Sequence, residues 1–211
     1  MSSGNDDISE QAQAKKGNWK GSKELLGEIS ETVINLYYKK IDEVEINSES
    51  YILLHNTSHK PHIVYSLGYW IDVEESTKLG LEKNKKFKIV FGISLLKNKV
   101  SKIYGDLYTV KGVGVEDFGT GLSRYMYKYF VKKLRYTIVG DGEQYFGARK
   151  LWAKLSKQVD VEVDLYNIET DTLIEENVIL HHGNYNNDFD KRLWSFIKEK
   201  INIRSILKDI L

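Results

Sequence analysis

The stretch that most restricts how this chain can fold runs from Val113 to Val139. Val113-Gly114-Val115 reads as the end of a strand, and Glu116-Asp117-Phe118-Gly119-Thr120-Gly121-Leu122-Ser123 follows it as a turn. Leu122, Tyr125, Met126, Tyr129, Phe130 and Leu134 then recur at helical spacing before Tyr136-Thr137-Ile138-Val139, a short β-rich run. Strand, glycine turn, helix and strand form one unit. Gly119 and Gly121 permit the positive φ angles and close backbone approach of a phosphate-cradling turn. The helix after them would aim its unpaired N–H groups and positive dipole end at the same place. The plainer alternative stays open at this point, since many strand-to-helix loops use glycine only to turn.

The pattern continues on both sides. Downstream, Gly140-Asp141-Gly142 ends the second strand, and a helix is expected from about Glu143 to Lys157 with Ala148, Leu151, Trp152 and Leu155 on one face. Val159 to Tyr166 alternates as a strand and would pair as a hairpin with Thr172 to Leu180. Asn187 or Asp188 caps a last helix striped by Phe189, Leu193, Phe196 and Ile197, which Asn202-Ile203-Arg204 breaks before a terminal turn. Upstream, residues 1–20 are polar, lack an apolar period and read as a disordered tail, leaving 21–211 as a single domain. Leu25, Leu26, Ile29, Val33, Leu36 and Tyr37 repeat at helical spacing, although the segment is also good strand material; helix is the reading preferred. Tyr51 to His55, His62 to Ile71 and Phe87 to Leu96 are β-rich, with the sole proline, Pro61, in a turn, and suggest an antiparallel meander leading into Tyr104 to Val115.

Composition narrows the chemistry. With no cysteine among 211 residues, thiol nucleophiles, disulfides and cysteine-based metal sites are excluded. No apolar run reaches a membrane span and no signal-like segment opens the sequence, so a soluble cytoplasmic protein without membrane contact is expected. The net charge is only +1, yet nine Lys or Arg lie between Arg124 and Lys157 against Asp141 and Glu143. That basic segment could hold the phosphates of a cofactor, follow a nucleic-acid backbone with Tyr127 and Tyr145 as stacking rings, or be the solvated side of a helix. His55, His59 and His62 could converge on a metal, but no carboxylate completes the set and they are read as loop histidines, so no metal site is expected. His181 and His182 end a strand. Glu74, Glu75 and Ser76 are read as a hydrated loop. Walker, GxSxG and HExxH motifs are absent.

Phe118-Gly119-Thr120-Gly121-Leu122-Ser123, in this order of elements, resembles the pyrophosphate loop of the GNAT superfamily of acyl-CoA N-acyltransferases. The wording Gly-Leu-Ser-x-x-x-Tyr, Val-Gly-Asp-Gly-Glu-Gln and Lys-Leu-Trp-x-Lys-Leu is similar to a phage-borne branch with Mom-like nucleic-acid-modifying members. The resemblance implies an α/β (α+β) fold with a mixed, mainly antiparallel, splayed sheet flanked by helices. It also implies acetyl-CoA or another acyl-CoA as co-substrate and an amine acceptor, with a nucleobase, a protein lysine and a small amine all open. Phe118, Gly119, Thr120, Gly121, Leu122 and Ser123 would hold the pyrophosphate. Val113 and Val115 would pair with the pantetheine arm, walled on its other side by Val139 to Asp141. Two positions depart from the family pattern. Phe118 replaces an Arg or Gln, and Trp152 stands where many members carry the tyrosine that protonates the departing thiolate. Tyr145 is then the candidate acid, and Asp141 the candidate base or amine-orienting group. The same departures motivate a rival reading, a GNAT-fold protein that binds or inhibits a host nucleic-acid or defence complex without catalysis.

Overall fold

The computed structural model describes residues 25–77, 80–116, 120–140, 146–180 and 203–210. It is a mixed α/β chain whose strands pair mainly antiparallel, with three helices among the described residues. Its internal contacts divide it into two compact units, one of residues 25–96 with 111–122 and one of 97–110 with 123–210.

In the first unit, strand β1 (Gly27–Ser30) leads into the short helix α1 (Glu31–Tyr37), which the Ser30 hydroxyl caps by accepting the Val33 N–H. Then come β2 (Tyr38–Ile46), β3 (Glu49–Asn56), β4 (His62–Thr77) and β5 (Gly80–Lys97). They hydrogen-bond in the order β2-β3-β4-β5, and the outer part of β6 (Leu107–Val115) follows β5. β1 also pairs with β5, through residues 86 to 89. The β2–β3 turn contains only Asn47 and Ser48, with φ of 54° and 64°. Two successive positive φ angles define the tight turn whose twist matches paired strands. Ile34 of α1 is buried together with Leu54, Phe87 and Ile89, with Leu26, Ile29 and Trp70 packed on them.

This unit departs from the sequence expectation in three places. The helix expected over Leu25 to Tyr37 begins only at Glu31, because Gly27–Ser30 pairs with β5. Tyr38–Ile46 was not anticipated as a strand; it is an outer strand, mostly polar, with a register shift between Lys40 and Asp42. Glu74, Glu75 and Ser76 belong to β4 rather than to a loop, facing Lys83, Glu82 and Leu81 across the β4–β5 ribbon.

The second unit holds the inner part of β6, helix α2 (Leu122–Lys132), β7 (Thr137–Val139), helix α3 (Phe146–Leu155), β8 (Val161–Asn167), β9 (Thr172–Glu175) and β10 (Ile203–Asp209). Its order is β6-β7-β10-β8-β9. β6 and β7 run parallel, pairing Leu107 to Thr137, Tyr108 to Ile138 and Thr109 to Val139. β10 lies between β7 and β8, antiparallel to both. Leu107, Val139, Tyr166 and Ile206 are buried as one cluster. The expected terminal turn after Asn202 is thus corrected: Ile203–Asp209 is a central strand, made so by pairing with residues distant in sequence. β9 is also shorter than the expected Thr172 to Leu180. The expected tail at 1–20, the helix after Asn187, His181 and His182 lie outside the described residues.

Candidate functional site

The expected loop begins where β6 ends. Val113 and Val115 are half-buried on β6, and the Glu116 N–H extends the ladder by donating to Val90 O at 2.8 Å. Phe118 and Gly119 lie outside the described residues. The chain is described again at Thr120, whose carbonyl accepts the side-chain amide of Asn47 at 2.9 Å. Gly121 has φ of 84°, a left-handed value that most residues with a Cβ adopt only with strain, asparagine least. Leu122 is buried and opens α2, with Ser123 half-buried behind it. The N–H groups of the first turn of such a helix have no intrahelical acceptor. Asp141 and Tyr145, the expected base and acid, lie outside the described residues.

A polar row that the sequence did not single out ends at Glu116, just past the end of β6. Tyr51 on β3 and Tyr69 on β4 have ring centroids 6.2 Å apart, Tyr69 is opposite Lys88 on β5, and the Lys88 ammonium meets the Glu116 carboxylate at 2.9 Å. The bond to Glu116 raises the Lys88 pKa, so this group stays cationic. Desolvation, and then the hydrogen bond to Glu49, push the Tyr51 phenol up to about 12. Tyr51 is therefore a neutral donor near neutral pH and not a proton acceptor. Only the cross-strand register could have exposed this row, because its members are spread over 66 residues of sequence between 51 and 116.

Three of the nine basic residues of the segment from Arg124 to Lys157 pair with carboxylates. Lys128 and Lys132 reach the Asp160 carboxylate at 2.7 and 3.7 Å, and Lys132 and Arg135 engage Asp209. Although burial alone would raise the Asp160 pKa, the two lysines outweigh it and the net shift is downward. Arg149 is buried in α3. Tyr127, expected as a stacking ring, is buried and meets Trp152 edge-on at 6.1 Å, so it presents no face to a base. Trp152 itself is a core residue. Of the three histidines, His62 bonds the Ser94 hydroxyl at 2.9 Å and His55 packs on Tyr65 at 5.1 Å. Among the described residues no group of three or more His, Asp or Glu could hold a metal ion.

A second polar cluster joins two turns of the 97–110 and 123–210 unit. Asp171 accepts the Ser101 hydroxyl at 2.6 Å, the Lys102 N–H at 2.8 Å and the Tyr166 hydroxyl. Buried Asp164 accepts Tyr104 OH at 2.8 Å, Asn177 N–H at 2.9 Å and Lys208 at 2.9 Å. Each carboxylate oxygen is already engaged, which suits pinning of loops rather than proton transfer. Among the described residues no helix is long and apolar enough to cross a membrane. Comparison with known proteins found no matching family model, no matching curated protein and no matching solved structure.

Proposed function

We propose that this protein is an acyl-CoA-dependent N-acyltransferase of GNAT type, moving an acyl group to an amine. The observation that carries the reading is the turn at Thr120 to Ser123: a carbonyl tied back by Asn47, a glycine at φ 84°, and the first turn of an eleven-residue helix. Such a helix start suits a pyrophosphate. One feature of connectivity supports it: β10 is interposed between β7 and β8. The backbone of Val113 and Val115 on the outer part of β6 would pair with the pantetheine. Acyl-CoA would supply the activated acyl group. Amides of the turn would hold its phosphates, Asp141 would take or orient the amine proton, and Tyr145 would donate a proton to the departing thiolate. Because Asp160 and Asp209 offset Lys128, Lys132 and Arg135, the arrangement favours a small amine or a protein lysine over a nucleic-acid acceptor. Burial of Trp152 keeps the non-catalytic binding reading as the rival, since the indole supplies no acid in its place.

Isothermal titration with acetyl-CoA tests the reading. Micromolar binding is expected, lost in Gly121→Glu, where a carboxylate meets the phosphates, and retained within about threefold in Gly121→Asn, since asparagine tolerates left-handed backbone. The Asn control separates charge repulsion from backbone strain. Absence of binding by the intact protein to acetyl-CoA and longer acyl-CoAs would remove the transferase reading and favour the rival.

A further inference from the structure

We infer that Asn47, at the tip of the β2–β3 hairpin, is the residue that sets the phosphate-facing state of the Thr120–Gly121 peptide; the inference rests on the acyl-CoA reading of the turn. The side-chain amide of Asn47 spans 73 positions of sequence to reach Thr120 O at 2.9 Å. A carbonyl only accepts, so the NH₂ side of the asparagine must face it. In a trans peptide the carbonyl and the next N–H point in opposite directions, so fixing Thr120 O toward the hairpin turns the Gly121 N–H away from it. Were this peptide reversed, a carbonyl oxygen would take the place of an N–H at the start of α2, and it would repel an anion. Glycine at 121 leaves both orientations sterically accessible, so the local sequence does not choose between them. An external donor does.

The hairpin is suited to that task. Ile46 pairs with Glu49, leaving only two turn residues, and both hold positive φ, so the tip has little freedom. Asparagine is one of the few residues with a Cβ that takes φ 54° readily, and it brings a donor long enough to cross to the turn. The hairpin tip is therefore a positioning element for the anion site, although Asn47 need not touch the ligand.

Asn47→Gly removes the donor while keeping the backbone conformation, and Asn47→Asp replaces the donor with a carboxylate that repels Thr120 O. The expected result is acetyl-CoA binding weakened about tenfold in Asn47→Gly and more in Asn47→Asp. Hydrogen exchange at residues 120 to 124 should accelerate, and the midpoint of thermal unfolding should stay within about 3 °C of the parent. A merely structural role would lower the midpoint and leave the affinity unchanged, and that outcome overturns the inference. Unchanged exchange at 120 to 124 in Asn47→Gly overturns it too, whether or not acyl-CoA binds. If the parent protein binds no acyl-CoA, the transferase reading fails separately, and faster exchange confined to this turn still supports Asn47 as its positioning residue.

Discussion

Gly68 shows how a single missing side chain sets the geometry beside the site. In the β4–β5 ladder Leu67 is opposite Phe91 while Gly68 is opposite Ile89, so Val90 is an extra residue and β5 bulges. Val90 O is then the acceptor of the Glu116 N–H, and Lys88, on the other side of the bulge, reaches the Glu116 carboxylate. A Cβ built on Gly68 would stand 2.0 Å from Lys88 O and 2.8 Å from Phe87 Cε1, so it collides with backbone rather than with a flexible side-chain end. Gly68→Ala must push β5 away at the bulge, and we expect it to cost about 3 kcal/mol in urea unfolding. A loss below about 1 kcal/mol would show that β5 can yield there and that the bulge does not depend on the glycine. The sequence marks Gly68 only as a glycine in an apolar run. Its purpose depends on a backbone atom twenty residues away, which periodicity does not register.

At the scale of elements, the Ser101–Gly105 turn and the β8–β9 turn are joined by one carboxylate. Hydrogen bonds from Ser101, then Tyr166 and the Lys102 N–H, lower the Asp171 pKa from 3.8 to about 2. A carboxyl whose folded pKa lies below its unfolded value contributes stability that is fully present above about pH 4 and is lost as pH falls toward 2. Asn in its place can accept on one atom but cannot accept the Lys102 N–H on the other. Asp171→Asn should therefore melt lower than the parent at pH 6 and show a shallower fall in melting temperature between pH 4 and pH 2. Parallel pH profiles for the two proteins would rule out this carboxylate as the link. Legibility from sequence follows the same division between local and distant partners. β3, the inner part of β4, β5, α2 and β7 were legible because apolar spacing and turn residues act within a few positions. β2 was not, since only Val44 and Ile46 are buried along it and its charged residues resemble a loop. Within the candidate site the Gly121 turn was legible from its glycine, whereas Asn47 reaches Thr120, and Tyr69, Lys88 and Glu116 meet, only through partners distant in sequence.

For the molecule as a whole, the most consequential residues are those of β10, which follow every other described strand in sequence and yet occupy the middle of their unit. Ser205, Ile206 and Leu207 are fully buried, with Ile206 packed among Leu107, Val139 and Tyr166. Without β10, the three-residue β7 would keep only its parallel pairing with β6, and β8 would expose an unpaired edge along Val161–Asn167. The ion pairs carried by β10, Lys208 to Asp164 and Glu162 and Asp209 to Lys132 and Arg135, likewise tie β10 to β8, to α2 and to the turn after it. Pairing between residues so far apart requires closing a long loop before it brings any reward, so this unit should fold late and cooperatively. Ile206→Asp places an unpaired carboxylate in the apolar cluster and should destabilise by more than about 4 kcal/mol, leaving little soluble protein. Ile210→Asp, one position beyond the strand at a residue 43% exposed, should stay within about 0.5 kcal/mol of the parent. Soluble yield and urea unfolding of the pair distinguish burial in β10 from a general intolerance of charge there: equal stability of the two variants would mean that β10 does not occupy the centre of this sheet.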